Sequence, residues 1–294
     1  MGGTARPVRT GGAVLLFQPV TGWAKAMRLQ NNPFDGKANH NSSFGGFPNR
    51  SLSVRGSGIF QRAKSDRRLA IRDLGRDADF EEVAALQERL LADRIADRIG
   101  DTLLLLEHRP VFTLGRSSGA ANVLWSDAEL NRRGIGRVQT TRGGDVTYHG
   151  PGQLVGYPIL HLGQAGWKLL EYVGYLEEML IRVLAGYGIA SGRDTRNRGV
   201  WVGNEKIAAI GIRVSRQVTM HGFALNVNTH LEDYRGIVAC GMRDAGVTSL
   251  ERILGKRQEM ETVKVAVTRE FRAVFGYAAP DRGEVRGIEP QIDE

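Results

Sequence analysis

Apolar positions in this chain become periodic only beyond about residue 66. Asp79, followed three residues later by Glu82, has the form of a capping box, and Phe80, Val83, Leu86 and Leu90 recur at helical spacing. The short continuous run 102–107 (Thr-Leu-Leu-Leu-Leu-Glu), bounded by Gly100-Asp101 and Pro110, predicts a buried strand, and 111–114 predicts a second. Segments 138–141, 145–148 and 153–158 are further strand runs broken by glycine turns. Leu169, Val173, Leu176, Leu180, Val183 and Leu184 form the apolar stripe of a long helix ending at Gly186 and Gly188. Glu171, Glu177, Glu178 and Arg182 lie between them. Segments 199–202 and 206–214 around Gly203-Asn204 read as a hairpin, 223–228 alternates as another strand, and a helix over roughly 262–275 follows. Strands clustered between separated helices predict an α+β (mixed α/β) fold, with no regular βαβ array and no internal repeat.

Composition narrows the function classes. With 294 residues, 41% of them hydrophobic, the chain can bury a full core, and no run of 18 apolar residues suggests a membrane span. A single cysteine excludes an internal disulfide and any cysteine-rich metal site, and suits a reducing, cytoplasmic setting. No convincing secretory signal is visible. The charge of +8 invites a nucleic-acid reading, but residues 1–66 hold nine Lys/Arg against two Asp, a net +7, so the remainder is nearly neutral. We therefore expect a disordered basic extension over 1–66, one folded domain over 67–279 and a flexible tail over 280–294, with no nucleic-acid or membrane partner. The six histidines show no paired ligand spacing, so no metal is expected.

Three segments carry candidate chemistry. Residues 142–153 (Arg-Gly-Gly-Asp-Val-Thr-Tyr-His-Gly-Pro-Gly-Gln) place Thr147, Tyr148 and His149 between glycine pairs that permit close backbone approach. Cys240, the only thiol, sits between Ala239 and Gly241, and Lys206 opens an apolar strand-like run. A thiol is nucleophilic as thiolate, and a nearby ammonium favours that form, so Cys240 and Lys206 are candidates for an acyl-transfer dyad. Each also has a plain structural reading: a glycine-rich hairpin with a satisfied histidine, a small buried cysteine, a solvated hairpin lysine. No phosphate-binding glycine loop followed by Lys-Ser/Thr and no Gly-x-Ser-x-Gly elbow is present.

Taken together, 142–153, 199–202 with 206–211, 221–228, and Cys240-Gly241 with 246–249 resemble the lipoyl(octanoyl) transferases, from about Ile71 to about Tyr277. The resemblance implies the fold of the biotin/lipoate protein ligase catalytic domain, a mixed sheet with helices packed on it. It also implies that octanoyl carried as a thioester on acyl carrier protein passes to Cys240. The lysine of a lipoyl domain, in 2-oxoacid dehydrogenases or the glycine cleavage H protein, then attacks the acyl-enzyme. Lys206 corresponds to the lysine that lowers the thiol pKa and relays protons. Arg142, Gly143, Gly144, Asp145, Val146, Thr147, Tyr148 and His149, then Ala209, Ile210 and Gly211, and Gly222, Phe223 and Ala224 correspond to the acyl site. No cofactor is implied. Many relatives have proline before the cysteine where this chain has Ala239. Competing readings are an ATP-dependent lipoate or biotin ligase on the same fold, which needs no acyl cysteine, and a non-catalytic module that binds carrier protein.

Overall fold

The computed structural model describes residues 67–238 and 245–279. The expected extension over 1–66, the tail over 280–294 and Cys240 lie outside the described residues. The main sheet has eight strands: β1 (Leu69–Asp73), β2 (Asp101–Leu106), β6 (Gln153–Ile159), β7 (Gly192–Asp194), β8 (Asn197–Val202), β9 (Glu205–Ser215), β10 (Val218–Asn226) and β11 (Gly246–Val247). Their order is β1-β2-β6-β10-β9-β8-β7, with β11 paired to β9. β1 and β11 pair in parallel with β2 and β9, and the other neighbours are antiparallel. A small second sheet holds β3 (Val111–Leu114) between β4 (Gly136–Gln139) and β5 (Val146–His149). The helices are α1 (Phe80–Ile95), α2 (Asp127–Arg133), α3 (Leu162–Ala165), α4 (Leu169–Gly186), α5 (Leu250–Leu254) and α6 (Met260–Phe275).

The main sheet is covered on both faces, which explains its continuous apolar runs. Along β2, Leu103 and Leu105 join the core under α4 and α6, whereas Leu104 and Leu106 join the core under α1. Strand alternation thus divides one Leu-Leu-Leu-Leu run between two layers. α4 begins and ends as its apolar stripe predicts, and β3 matches its predicted bounds. β2, β4 and β5 differ from expectation by one or two residues, the ordinary uncertainty of element ends.

The departures are informative. Asp79 caps α1 by accepting from the Glu81 and Glu82 N–H groups, but the buried stripe of α1 runs through Gln87, with Leu86 only half-buried. A polar side chain occupies the inward face because its Oε1 accepts the backbone N–H of His221 at 2.8 Å. β10 starts five residues before the predicted run. Its turn from β9 is made by Arg216 and Gln217, both at positive φ, with no glycine to signal it.

One close approach sets the spacing at the sheet centre. A Cβ at Gly156 would lie 2.2 Å from the Phe223 ring, which packs across the antiparallel pair of β6 and β10. Gly156→Ala is therefore expected to destabilise by about 1–3 kcal/mol through overpacking. Phe223→Leu in the same chain should recover part of that loss, a coupling read from urea denaturation of the single and double variants. Strict additivity would show that the ring does not rest on Gly156.

Candidate active site

Between α1, β5 and the α1-facing side of β9 and β10 lies a narrow cleft. It is lined by Phe80, Arg142, Thr147, His149, Tyr157, Ala209, Gly211, His221, Gly222, Phe223 and Ala224. Its free space is small, about 30 Å³, room for one water. A larger cavity of about 290 Å³ at the end of the sheet is polar, lined by Arg76, Glu107, Gly152, Arg257 and their neighbours. It shares only the Pro151-Gly152 turn with the glycine-rich segment.

Strand alternation sorts the segment 142–149. Thr147 and His149 line the cleft, while Val146 and Tyr148 point into the small core of Phe112, Leu130, Ile135 and Tyr234. Tyr148 donates to Asp233 at 2.9 Å, and burial, together with that carboxylate, holds the phenol well above its usual pKa. Asp145 accepts from Asn122 at 2.6 Å, and Gly144, at φ +85, lets its carbonyl accept from Ser117. The Gly143 N–H donates to the Ile212 carbonyl at 2.9 Å, fastening this loop over β9. Arg142 is buried, with its guanidinium held by Thr113 Oγ1 at 2.9 Å and by the Gly143 carbonyl at 3.2 Å. On β9, Ala209 and Gly211 line the cleft, and Ile210 faces the α4–α6 core. Val146, Tyr148 and Ile210 therefore reach the site only through their backbone.

A bulge brings Lys206 onto the same face. β8 and β9 pair Val200 with Ala208 and then Trp201 with Lys206, leaving Ile207 unmatched. Ile207 and Ala208 both enter the α4–α6 core, so alternation breaks at that point. Lys206 consequently shares the face of Ala209 and Gly211, where unbroken alternation would put it with Ile210. It is buried, and its Nζ donates to Asn197 Oδ1 at 2.9 Å and to the Arg198 carbonyl at 3.1 Å, 4.9 Å from the Trp201 ring centroid. The described residues on either side of 239–244 are tied to the fold. Val238 donates its N–H to Asn122, while Gly246 and Val247 pair with Glu205 and Lys206.

Tyr157 completes the cleft wall and His108 packs behind it against Phe80, His149 and Tyr157; sequence reasoning left both out of the site. His108 Nδ1 donates to the Ala78 carbonyl at 3.0 Å, so its Nε2 accepts from the Tyr157 hydroxyl at 2.8 Å. The ring packs 5.7 Å from that of His149. The visible signal was a histidine two residues beyond a leucine-rich buried strand. Gln153 donates to the Tyr148 carbonyl and Asn226 Oδ1, which leaves its Oε1 to accept from His149 Nδ1 at 2.7 Å. His149 Nε2 is then the basic nitrogen. His221 stands at φ +57, a left-handed conformation that turns its N–H toward Gln87 and its ring beside Tyr157. Among the described residues, no group of three His, Cys, Asp or Glu side chains could hold a metal.

Solved structures share this fold. Lipoate-protein ligase A bound with ATP superposes with a TM-score of 0.55 at 14% identity, over 75% of this chain and 92% of that one. The bi-partite lipoate protein ligase of Thermoplasma acidophilum gives 0.56 at 16% identity, over 74% and 86%. The fold is that of the lipoate protein ligase catalytic domain. Sequence goes further: the profile of the lipoyl protein ligase A/B catalytic domain matches residues 79–272, and the chain belongs to that family. The octanoyltransferase of Caldicellulosiruptor saccharolyticus is 50% identical over 67% of this chain and 85% of its own length. That of Desulforamulus reducens is 46% identical over 71% and 92%.

Burial holds His108 and His221 near pKa 4 and takes His149 well below 6.5, with the neighbouring His108 charge a further cause at His149. The unfolded chain therefore binds more protons between about pH 4 and pH 6.5, so the stability these rings contribute is full above about pH 6.5 and falls on acidification toward pH 4. Histidine ring resonances followed by NMR should show His108 and His221 still neutral at pH 5.5. A midpoint near the ordinary value for either would contradict the buried neutral network.

Proposed function

We propose that this chain transfers octanoyl from acyl carrier protein to the lysine of lipoyl domains, through a thioester on Cys240, with Lys206 as the acid–base partner. The observation that carries this reading is 46–50% identity to octanoyltransferases over at least 85% of their length. The residue roles draw support from the placement of Lys206 on the cleft face, against the strand that follows the Cys240 segment.

In the first half-reaction the thiolate attacks the thioester carbonyl, and the tetrahedral intermediate expels the carrier thiolate, which takes a proton from Lys206. In the second, the acceptor amine attacks the Cys240 thioester, forming an amide and releasing the thiolate, while Lys206 takes up the proton lost by the amine. Thioester exchange is nearly isoergic and amide formation from a thioester is downhill, so the scheme needs no ATP. The desolvated cleft beside Ala209, Gly211 and Ala224 suits an acyl chain, with Arg142, Thr147 and His149 as polar groups along one wall. The catalytic unit is read as 67–279, and the setting as cytoplasmic. Among the described residues no helix is long and apolar enough to cross a membrane.

Intact-protein mass after mixing with octanoyl carrier protein should show one added octanoyl group, removable by hydroxylamine and absent in Cys240→Ala. Lys206→Ala should slow acylation by roughly 10²–10⁴-fold, the usual worth of a general acid–base group. Acylation only with free octanoate and ATP would assign the chain to the ligases. Normal turnover by Cys240→Ala would remove the covalent intermediate.

A further inference from the structure

We propose that Asn197 is a positioning residue for Lys206. Its amide oxygen, together with the Arg198 carbonyl and the face of Trp201, forms a cradle that aims the ammonium along the cleft face of β9. The inference rests on reading Lys206 as the acid–base partner of Cys240.

The cradle is built by the hairpin of β7 and β8. Asp194 and Asn197 pair across a two-residue turn in which Asp194 Oδ1 accepts the Arg196 N–H at 2.8 Å. This places Asn197 at the start of β8, four residues before Trp201 and on the same face, as Gly199 also is. The Trp201 indole N–H donates back to the Asn197 carbonyl at 3.4 Å, tying ring and turn together. Gly199, at φ +137, leaves room for the lysine stem: a Cβ there would lie 3.4 Å from Lys206 Cε and 2.4 Å from the Ala208 carbonyl oxygen. Lys206 reaches up from β9 into this frame, and its ammonium meets Asn197 Oδ1 at 2.9 Å and the Arg198 carbonyl at 3.1 Å.

The chemistry of these acceptors matters. A lysine stem samples many rotamers, and a proton relay works only when Nζ is held within hydrogen-bond reach of the reacting atoms. Asn197 and the Arg198 carbonyl are neutral, so they orient the ammonium without neutralising it, as does the π face of Trp201. A hydrogen bond accepted from the charged form also favours that form.

The surrounding charges are accounted for. Asp194 feels the charge of Lys206 and is itself paired with Arg196 at 2.6 Å. The Arg196 guanidinium lies 5.1 Å from the Trp201 ring centroid. Glu205, adjacent in β9, pairs with Arg252, and Glu177 from α4 accepts from the Gly199 N–H and Arg193.

The test compares the wild-type full chain with Asn197→Ala, Asn197→Asp and Lys206→Ala. The readouts are steady-state kcat and KM for transfer and the pH profile of kcat, whose basic limb reports loss of the ammonium proton. Asn197→Ala should lower kcat about tenfold, the scale of one lost hydrogen bond to a charged group, with KM for octanoyl carrier protein unchanged. The basic limb of its pH profile should move to lower pH, because the ammonium loses an acceptor. Asn197→Asp restores an acceptor and adds a negative charge, so it should recover much of kcat and move that limb to higher pH. Opposite shifts in two variants with wild-type melting temperatures are not produced by general loosening of the hairpin. The proposal is overturned if Lys206→Ala is inactive while Asn197→Ala keeps wild-type kcat and pH profile. It is also overturned if both Asn197 variants lose rate with no shift of the limb. An active Lys206→Ala would instead remove the catalytic role given to Lys206, a separate failure.

Discussion

The parity of β9 decides what the site contains. This strand is packed under α4 and α6 on one side and open to the cleft on the other, so each side chain must take one face. Ala208, Ile210, Ile212 and Val214 take the helical side, and Ala209 and Gly211 take the cleft side. The extra residue at Ile207 reverses the phase once, sending two consecutive apolar side chains into the core and turning Lys206 to the face of Ala209 and Gly211. The core gains an isoleucine, and the opposite face gains a cation on a strand held on both edges. Lys206 is thus placed by the sheet rather than by a loop, which suits the acid–base role proposed for it.

The cleft is also narrow and, apart from Arg142, lined by neutral groups. His149 and His221 stand in its wall and His108 behind it as neutral rings, and Tyr157 donates its hydroxyl to His108. Each ring has a different reason for its orientation: a backbone carbonyl at His108, the Gln153 amide at His149, a left-handed backbone at His221. Low polarity strengthens every electrostatic interaction that remains, so the charges of Arg142 and Lys206 act over a longer range than they would in water. The cost falls on stability in acid, where each buried ring resists protonation.

The rest of the fold holds these faces in register. Asp101 accepts from Arg94, Arg67 and Tyr277, joining α1, β2 and the end of the described chain, while Lys264 ties α6 to Asp73 on β1. Breaking one partner of such a buried pair costs far more than the pair itself contributes. The main sheet is thereby clamped from both sides at the strands farthest from β9.

The sequence by itself determined the elements whose period repeats over many residues. The stripe from Leu169 to Leu184 specifies α4, the run after Gly100 specifies a doubly buried β2, and Gly203-Asn204 between apolar segments specifies the β8–β9 hairpin. It also carried the motifs that mark the family, because those are matched by residue order alone. What it left undecided was which face each side chain takes once alternation is broken. Of the segment 142–149, only Arg142, Thr147 and His149 line the cleft, and strand parity makes that choice only when the partner strands are known. Gln87 reads as a surface residue until His221 turns its N–H toward it, and Asn197 reads as a turn residue until Lys206 is folded against it. Each of these depends on a contact between segments distant in the chain or on a one-residue bulge in pairing. Local period carries neither: a strand's pattern records its own alternation, whereas a bulge is defined only by the strand beside it.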